Sequence, residues 1–380
     1  LWDDYLVGQE HPESRPRIVI RRRASLYRLL VNPALHFGED FSRGYIEVHG
    51  DLVEAMRTLH HPARDRFIER PLAGLTTRLL NRPRRNTLTG SRRNIHQHYD
   101  LGNDFYRLWL DEAMVYTCAY FPDPAYSLEA AQRAKMEHVA RKLRLKPGER
   151  VLEVGCGWGS LARYLAREKG VTVRAFNISH EQMRLARTMA EEEGLGDRVE
   201  FIEDDYRNAT GQYDAFVSVG MLEHVGPEHY TDLGRVIDRC LRPDGRALLH
   251  TIGKNRPSPF NPWIERYIFP GAHPPTLSEI MQVLEPWAFS VQDVENLRLH
   301  YARTLEHWLE RFERHRDTVR ARFDETFTRM WRLYLSGSVA SFDVGGLQLF
   351  QVTFTRPRNN ELPWTRAYLY DRPTLEGESV

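Results

Sequence analysis

A chain of 380 residues, 41% hydrophobic and 28% charged, has the composition of an ordinary soluble protein with enough apolar side chains for a full core, and its length suggests about two domains. Its 53 lysines and arginines against 52 acidic residues leave a net charge of +1, which predicts no global attraction to nucleic acid. No run reaches the roughly 18 apolar residues of a spanning helix, no basic-then-apolar signal pattern opens the chain, and three scattered cysteines exclude a disulfide framework or a zinc site.

The chain opens on Leu1 rather than methionine, so an upstream piece is expected. Residues 1–85 combine a β-like piece at 17–20, a helix-like stretch at 25–31 and a glycine-punctuated segment at 37–51, which reads as a small α+β N-terminal domain. Arg21, Arg22 and Arg23, then Arg78, Arg82, Arg84, Arg85, Arg92 and Arg93, concentrate positive charge in this first quarter. Such clusters serve as contacts to an anionic surface, lipid headgroups or nucleic acid, or as a solvated face beside a linker. A polar, breaker-rich linker at 86–93 then leads into a second domain, 94–380.

Residues 94–121 are dense in aromatics: Tyr99, Phe105, Tyr106, Trp109, Tyr116, Tyr120 and Phe121. They either pack a core or line a pocket for something apolar or cationic. A helix over 128–143 is capped by Ser127 and stopped by Pro147 and Gly148. The stretch V-L-E-V-G-C-G-W-G, 151–159, then reads as strand, tight turn and helix start, with Gly155, Gly157 and Gly159 free to adopt positive φ and leave room for a ligand at a helix N-terminus.

Beyond it, strands at 171–176, 199–203, 213–219 and 246–251 alternate with helices at 181–193 and 230–240. This alternation predicts a doubly wound, Rossmann-like α/β sheet with ligands at the carboxyl ends of its strands. Strands at 289–294 and 347–355 flank a helical insertion at about 300–340. There Leu305, Trp308, Leu309 and Phe312, then Phe323, Phe327, Met330, Trp331 and Tyr334, recur at helical spacing, as core or as the wall of an apolar slot.

A nicotinamide site would place an acid at the end of the second strand and space its glycines G-x-G-x-x-G. Here the strand end carries Asn177, with Ser179 and Gln182 behind it, and the glycines read G-x-G-x-G. The pattern argues against a dinucleotide and suits S-adenosylmethionine, with Asp205 and Tyr206 after the third strand placed for the adenine.

Y-T-C-A-Y-F, V-L-E-V-G-C-G-W-G, N-I-S-H-E-Q, S-V-G-M-L-E-H-V-G and L-L-H-T-I-G, collinear within about residues 15–356, together resemble the cyclopropane-fatty-acid synthase family. The resemblance implies a class I methyltransferase that brings a cis double bond of a phospholipid acyl chain to the sulfonium methyl of S-adenosylmethionine, forms a carbocation and removes a proton to close the ring. It implies a bound bicarbonate as the base, cradled by Glu223, His250, Tyr301 and the backbones of Cys118 and Ile252. It places Tyr116 and Thr117 at the methionine end of the cofactor, Gly155 and Gly157 at the turn, Ser179 and Gln182 at the ribose and Tyr206 at the adenine. Thr117 stands where the family commonly has serine, and Asn177 where it usually has threonine.

The implied partner is an unsaturated phospholipid in the bilayer, with no nucleic acid and no metal. The implied location is the cytoplasm, peripheral to the inner face of the membrane, and a homodimer is left open. A methylene or methyl branch is the competing product, and a small amine, as in alkaloid N-methylating relatives, the competing substrate. A non-catalytic lipid- or nucleotide-binding module would have lost the base cradle, whereas Glu223, His250 and Tyr301 are present.

Overall fold

The computed structural model describes residues 16–60 and 101–370. The expected linker at 86–93, Tyr99 and the arginines Arg78, Arg82, Arg84, Arg85, Arg92 and Arg93 lie outside the described residues. Seven strands form one sheet, apolar in its centre and polar at its β8 edge: β3 (Arg150–Val154), β4 (Thr172–Asn177), β5 (Val199–Glu203), β6 (Tyr213–Val219), β7 (Leu241–Gly253), β8 (Ser290–Asn296) and β9 (Gln348–Thr355). Their order is β5-β4-β3-β6-β7-β9-β8. The first five in sequence pair in parallel, and β9 runs antiparallel between β7 and β8.

Helices Ser160–Lys169, His180–Glu192 and Tyr230–Cys240 make the crossovers. Apolar clusters cover the two sides: Val151, Leu161, Ala186 and Phe201 with their neighbours in one, Leu152, Phe216, Ile237 and Phe354 in the other. The order reverses between β3 and β6, which opens a crevice beyond their carboxyl ends. Ser127 caps the helix Leu128–Lys142 as expected, its Oγ accepting from the Ala130 N–H at 3.2 Å.

Two differences from the expected elements have local causes. Strand β7 begins at Leu241 rather than 246, because Leu241 pairs with Tyr213 before a register shift carries the ladder on to Ala215 and Arg246. Helices Asn103–Arg107, Pro262–Tyr267 and Leu277–Leu284 carried no sequence expectation, since at five to eight residues they complete too few turns for a periodic stripe. The last is fixed instead by a capping box between Thr276 and Glu279.

The insertion forms three helices, Arg298–Arg314, Arg316–Arg322 and Glu325–Asp343. Phe105, Tyr106, Trp109, Trp308, Phe312 and Trp331 are fully buried in one aromatic cluster over the sheet edge. Phe105 meets Trp331 edge-on at 4.9 Å, and Trp109 meets Trp308 at 5.7 Å. Most of the insertion's stripe is therefore core.

The described N-terminal elements are an antiparallel pair, β1 (Arg17–Ile20) and β2 (Ile46–His49), with helices Arg23–Val31, Pro33–Ser42 and Leu52–Leu59. They join the same apolar cluster through Phe41, Ile46, Leu52 and Met56. Polar ties accompany the packing: Arg329 donates to the carbonyls of Phe41 at 2.7 Å and Ile46 at 2.9 Å, and Arg57 Nε to Asp343 at 2.8 Å. No helix among the described residues is long and apolar enough to cross a membrane.

Candidate active site

The turn after β3 takes the conformation its glycines allow, with φ of 81° at Gly155, 55° at Gly157 and 74° at Gly159. A Cβ on Gly155 would lie 2.7 Å from Met221 Cβ, so this glycine lets the turn press against the loop after β6. A Cβ on Gly157 would meet nothing within 4 Å, so that residue faces open space at the head of the helix Ser160–Lys169. Such a cradle fits a cofactor approaching the backbone.

Asn177 braces this turn from the end of β4. Its Nδ2 donates to the Gly157 carbonyl at 3.2 Å and to Gln182 Oε1 at 2.8 Å, while its Oδ1 accepts from the Ile178 N–H at 2.8 Å. Ser179 caps the next helix, accepting from the Gln182 N–H at 3.5 Å. Ser179 and Gln182 are both buried against the turn's side of β4. One strand further out, Asp205 holds Arg207 through both carboxylate oxygens, at 2.8 and 2.9 Å, and Tyr206 is half-buried beside it.

The loop after β6 delivers Glu223. Its Oε1 accepts the Ile252 N–H of β7 at 2.5 Å, and its Oε2 is buried with no hydrogen-bond partner. Burial raises the Glu223 carboxyl from 4.5 to about 7, against the pull of the Ile252 N–H. Ile252 also accepts from the Thr251 hydroxyl at 3.0 Å through its carbonyl, so its backbone is engaged on both sides. Two residues earlier on β7, His250 is buried and its Nε2 has no partner. Burial holds this imidazole well below its usual range, and it is neutral at physiological pH.

The segment 116–118 closes the site from the other side. The Thr117 methyl would lie 2.8 Å from a Cβ at Gly220, three residues before Glu223, and the Tyr116 hydroxyl meets that of Tyr334 at 2.8 Å. Cys118 Sγ is directed to the Ala119 carbonyl at 3.1 Å, with the Leu297 carbonyl at 4.0 Å, one turn before Tyr301. Burial pushes the Cys118 thiol far up, so the sulfur is not a thiolate nucleophile. Tyr301 itself is buried against Phe342 at 4.6 Å and Trp308 at 6.0 Å. The structure thus brings Thr117 against Gly220 and Gly155 against Met221, both on the loop that carries Glu223, and ties Glu223 to Ile252, while Asp205 is engaged by Arg207.

Four further residues frame the site. Lys135 is buried and donates to Thr117 Oγ1 at 3.0 Å, and burial lowers it to about 8 despite Asp111, Cys118 and Glu153 nearby. The same burial raises Glu153 of β3 to about 8 and Asp111 to about 6. In the sequence Lys135 looks like any helix-surface lysine, and no local signal marked it. Trp158, inside the glycine motif, donates from its indole to Asn103 Oδ1 at 2.8 Å and packs on Tyr106 at 5.0 Å. It links the turn to the aromatic roof.

A sheet ordered in this way, with its antiparallel β9 slotted between β7 and β8 and a glycine turn at the reversal point, is the sheet of class I S-adenosylmethionine-dependent methyltransferases, and this chain is one of them. Residues 86–352 match the family described as mycolic acid cyclopropane synthetase, and the chain belongs to that family. It is 36% identical over 97% of its length to a probable fatty acid methyltransferase of Pseudomonas putida, of which it covers 95%. It is 43% identical over 70% of its length to the cyclopropane-fatty-acyl-phospholipid synthase of Escherichia coli K12, of which it covers 68%. Mycolic acid cyclopropane synthase CmaA1, solved in complex with SAH and CTAB, superposes with a TM-score of 0.66 at 29% identity over 70% of this chain and 98% of its own.

The raised carboxyl of Glu223 gives the site a pH signature. Between about pH 4.5 and 7 the folded chain keeps a proton that the unfolded chain has released, so this group's contribution to stability falls as pH rises through that window and is level above it. Glu223→Gln is expected to exceed the unsubstituted protein in stability by ~1–3 kcal/mol at about pH 8 and by little at about pH 5. Urea unfolding at the two pH values reads this directly. An equal difference at both would show that Glu223 is charged throughout.

Proposed function

We propose that this enzyme transfers the methyl carbon of S-adenosylmethionine to the double bond of an unsaturated phospholipid acyl chain and closes a cyclopropane ring, with bicarbonate held at the base site. The observation that carries the reading is the pair of buried, unpartnered polar atoms, Glu223 Oε2 and His250 Nε2, on neighbouring strand ends beneath an aromatic roof. Buried polar atoms without partners are rare and call for a ligand. Burial keeps Glu223 able to carry a proton near neutral pH and His250 uncharged, so both can meet an anion as hydrogen-bond donors.

The donor set fits a small planar anion. Glu223, His250, Tyr301 and the backbones of Cys118 and Ile252 would hold bicarbonate, which supplies a base that leaves the hydrocarbon slot clear. The Ile252 N–H orients Glu223 by fixing Oε1. Tyr116 and Thr117 would face the methionine end of the cofactor, with Lys135 holding the Thr117 hydroxyl in place. Gly155 and Gly157 admit its backbone approach, and Ser179, Gln182, Asp205 and Tyr206 border the ribose and adenine side. Buried rings of Tyr106, Trp109 and Trp308 pack into an apolar roof that would keep water from the substrate side.

A lipid substrate is supported by the E. coli relative's name and by the N-terminal helix Arg23–Val31. Tyr27, Leu30 and Val31 share one face of it and are 73%, 83% and 66% exposed, beside the exposed Arg17, Arg22 and Arg23. Apolar side chains rimmed by arginine suit an anionic bilayer surface. A methyl or methylene branch is the alternative product, consistent with the likeness over 97% of this chain to a probable fatty acid methyltransferase.

Mass spectrometry of phospholipid fatty acids from cells expressing the protein is expected to show a gain of one CH₂ with ring-specific fragmentation. An olefinic or branched product would replace cyclopropanation with the alternative, and unchanged lipids together with methylation of an added amine would overturn the lipid reading. Cys118→Ser is expected to keep most of the activity, since only the backbone is used; complete loss in a folded variant would refute that role. Co-sedimentation with vesicles should rise with anionic lipid content and fall in Leu30→Asp, and indifference to both would remove the membrane face.

A further inference from the structure

We propose that Gln351 is a positioning residue that fixes His250 as its Nε2–H tautomer, so that the imidazole meets the bound anion as a donor. The inference rests on the bicarbonate reading above for its purpose, and on the geometry of β7 and β9 for its substance. Gln351 is fully buried, and its Nε2 lies 3.0 Å from His250 Nδ1. The two residues are direct cross-strand partners in the antiparallel ladder, so their side chains leave the sheet on the same face. A neutral imidazole carries one proton, and the group bonded to one nitrogen decides which nitrogen holds it. An amide N–H donated to Nδ1 occupies that lone pair and leaves the proton on Nε2, the atom without a protein partner.

The next strand explains why the partner is an amide and not an acid. Gln351 is also the cross-strand partner of Glu295 on β8. That carboxylate is already committed: its Oε2 accepts from His138 at 2.7 Å and from Lys142 at 2.7 Å. Gln351 therefore stands as a neutral spacer between a charged cluster at the sheet edge and an imidazole that has to stay uncharged. A carboxylate at position 351 would accept a hydrogen bond from Nδ1–H, holding the proton there and turning the Nε2 lone pair toward the anion, which repels it. An apolar side chain would leave Nδ1 without a partner and the tautomer unfixed.

The test reads the tautomer before it reads the rate. Long-range ¹H–¹⁵N NMR of the full-length protein labelled at histidine nitrogen, with His250 assigned by its disappearance in His250→Gln, is expected to show a neutral Nε2–H imidazole without any added ligand. In Gln351→Glu the signal should move to the Nδ1–H pattern, and in Gln351→Leu it should become a mixture. In both variants the bicarbonate concentration giving half-maximal rate should rise about tenfold or more, with the KM for S-adenosylmethionine unchanged. A wild-type Nδ1–H signal, or a spectrum unmoved by both substitutions, overturns the assignment. If the spectra behave as expected but the wild-type rate is indifferent to removing bicarbonate, the anion reading falls and Gln351 still sets the tautomer.

Discussion

Charge is costly to hold away from water, and the ionisable side chains buried around the glycine turn and the loop after β6 include Asp111, Lys135, Glu153, Glu223 and His250. In apolar surroundings each shifts toward its uncharged form, the acids upward and the lysine and histidine downward. The site is thereby supplied with polar atoms and little net charge. A cation developing on a hydrocarbon would be quenched by an exposed nucleophile, whereas a high-pKa thiol at Cys118 and a protonatable Glu223 are poor ones. The proposed reaction would ask for both the aromatic roof and the weakly charged floor, since a dry setting that tolerates transient charge needs each.

The floor is built at the reversal of strand order. Gly155 and the loop after β6 touch because a side chain at Gly155 would run into Met221, and Thr117 presses on Gly220 in the same way. Close backbone approach is what brings the glycine turn and the Glu223 loop together. Lys135 then tethers Thr117, so the glycine turn, the loop after β6 and the segment 116–118 are held by packing of small residues and a buried lysine.

Much of this was legible because it is local. The glycine turn, β5 and β6, the helix Tyr230–Cys240, and Glu223 and His250 at strand ends follow from runs of a few residues whose pattern reports their conformation. Asn177 reads as a neutral residue where ribose contact is expected, and only the folded turn shows it bracing the Gly157 carbonyl and Gln182. Gln351 lies 101 residues from His250, and their meeting depends on the antiparallel register of β9, which hydrophobic alternation alone leaves unspecified. Lys135 was hidden for a different reason: its helix carries four basic residues, and nothing in their local pattern tells the buried Lys135 and Lys142 from the others. The N-terminal elements share the roof's core through long-range contacts that no local signal carries.

The helical roof leaves the sheet at the end of β8 and returns at the start of β9, where Asn296 and Phe350 are paired across the ladder. Its two feet are therefore adjacent, and the excursion between them closes on itself like a handle on a drawer. Lengthening or exchanging such a handle adds only slowly growing closure entropy and leaves the pairing of the strands beneath unchanged. The sheet, the glycine turn and the loop after β6 are thus mechanically independent of the handle's length, and the helices 298–343 can change in bulk without moving the strand ends beneath them.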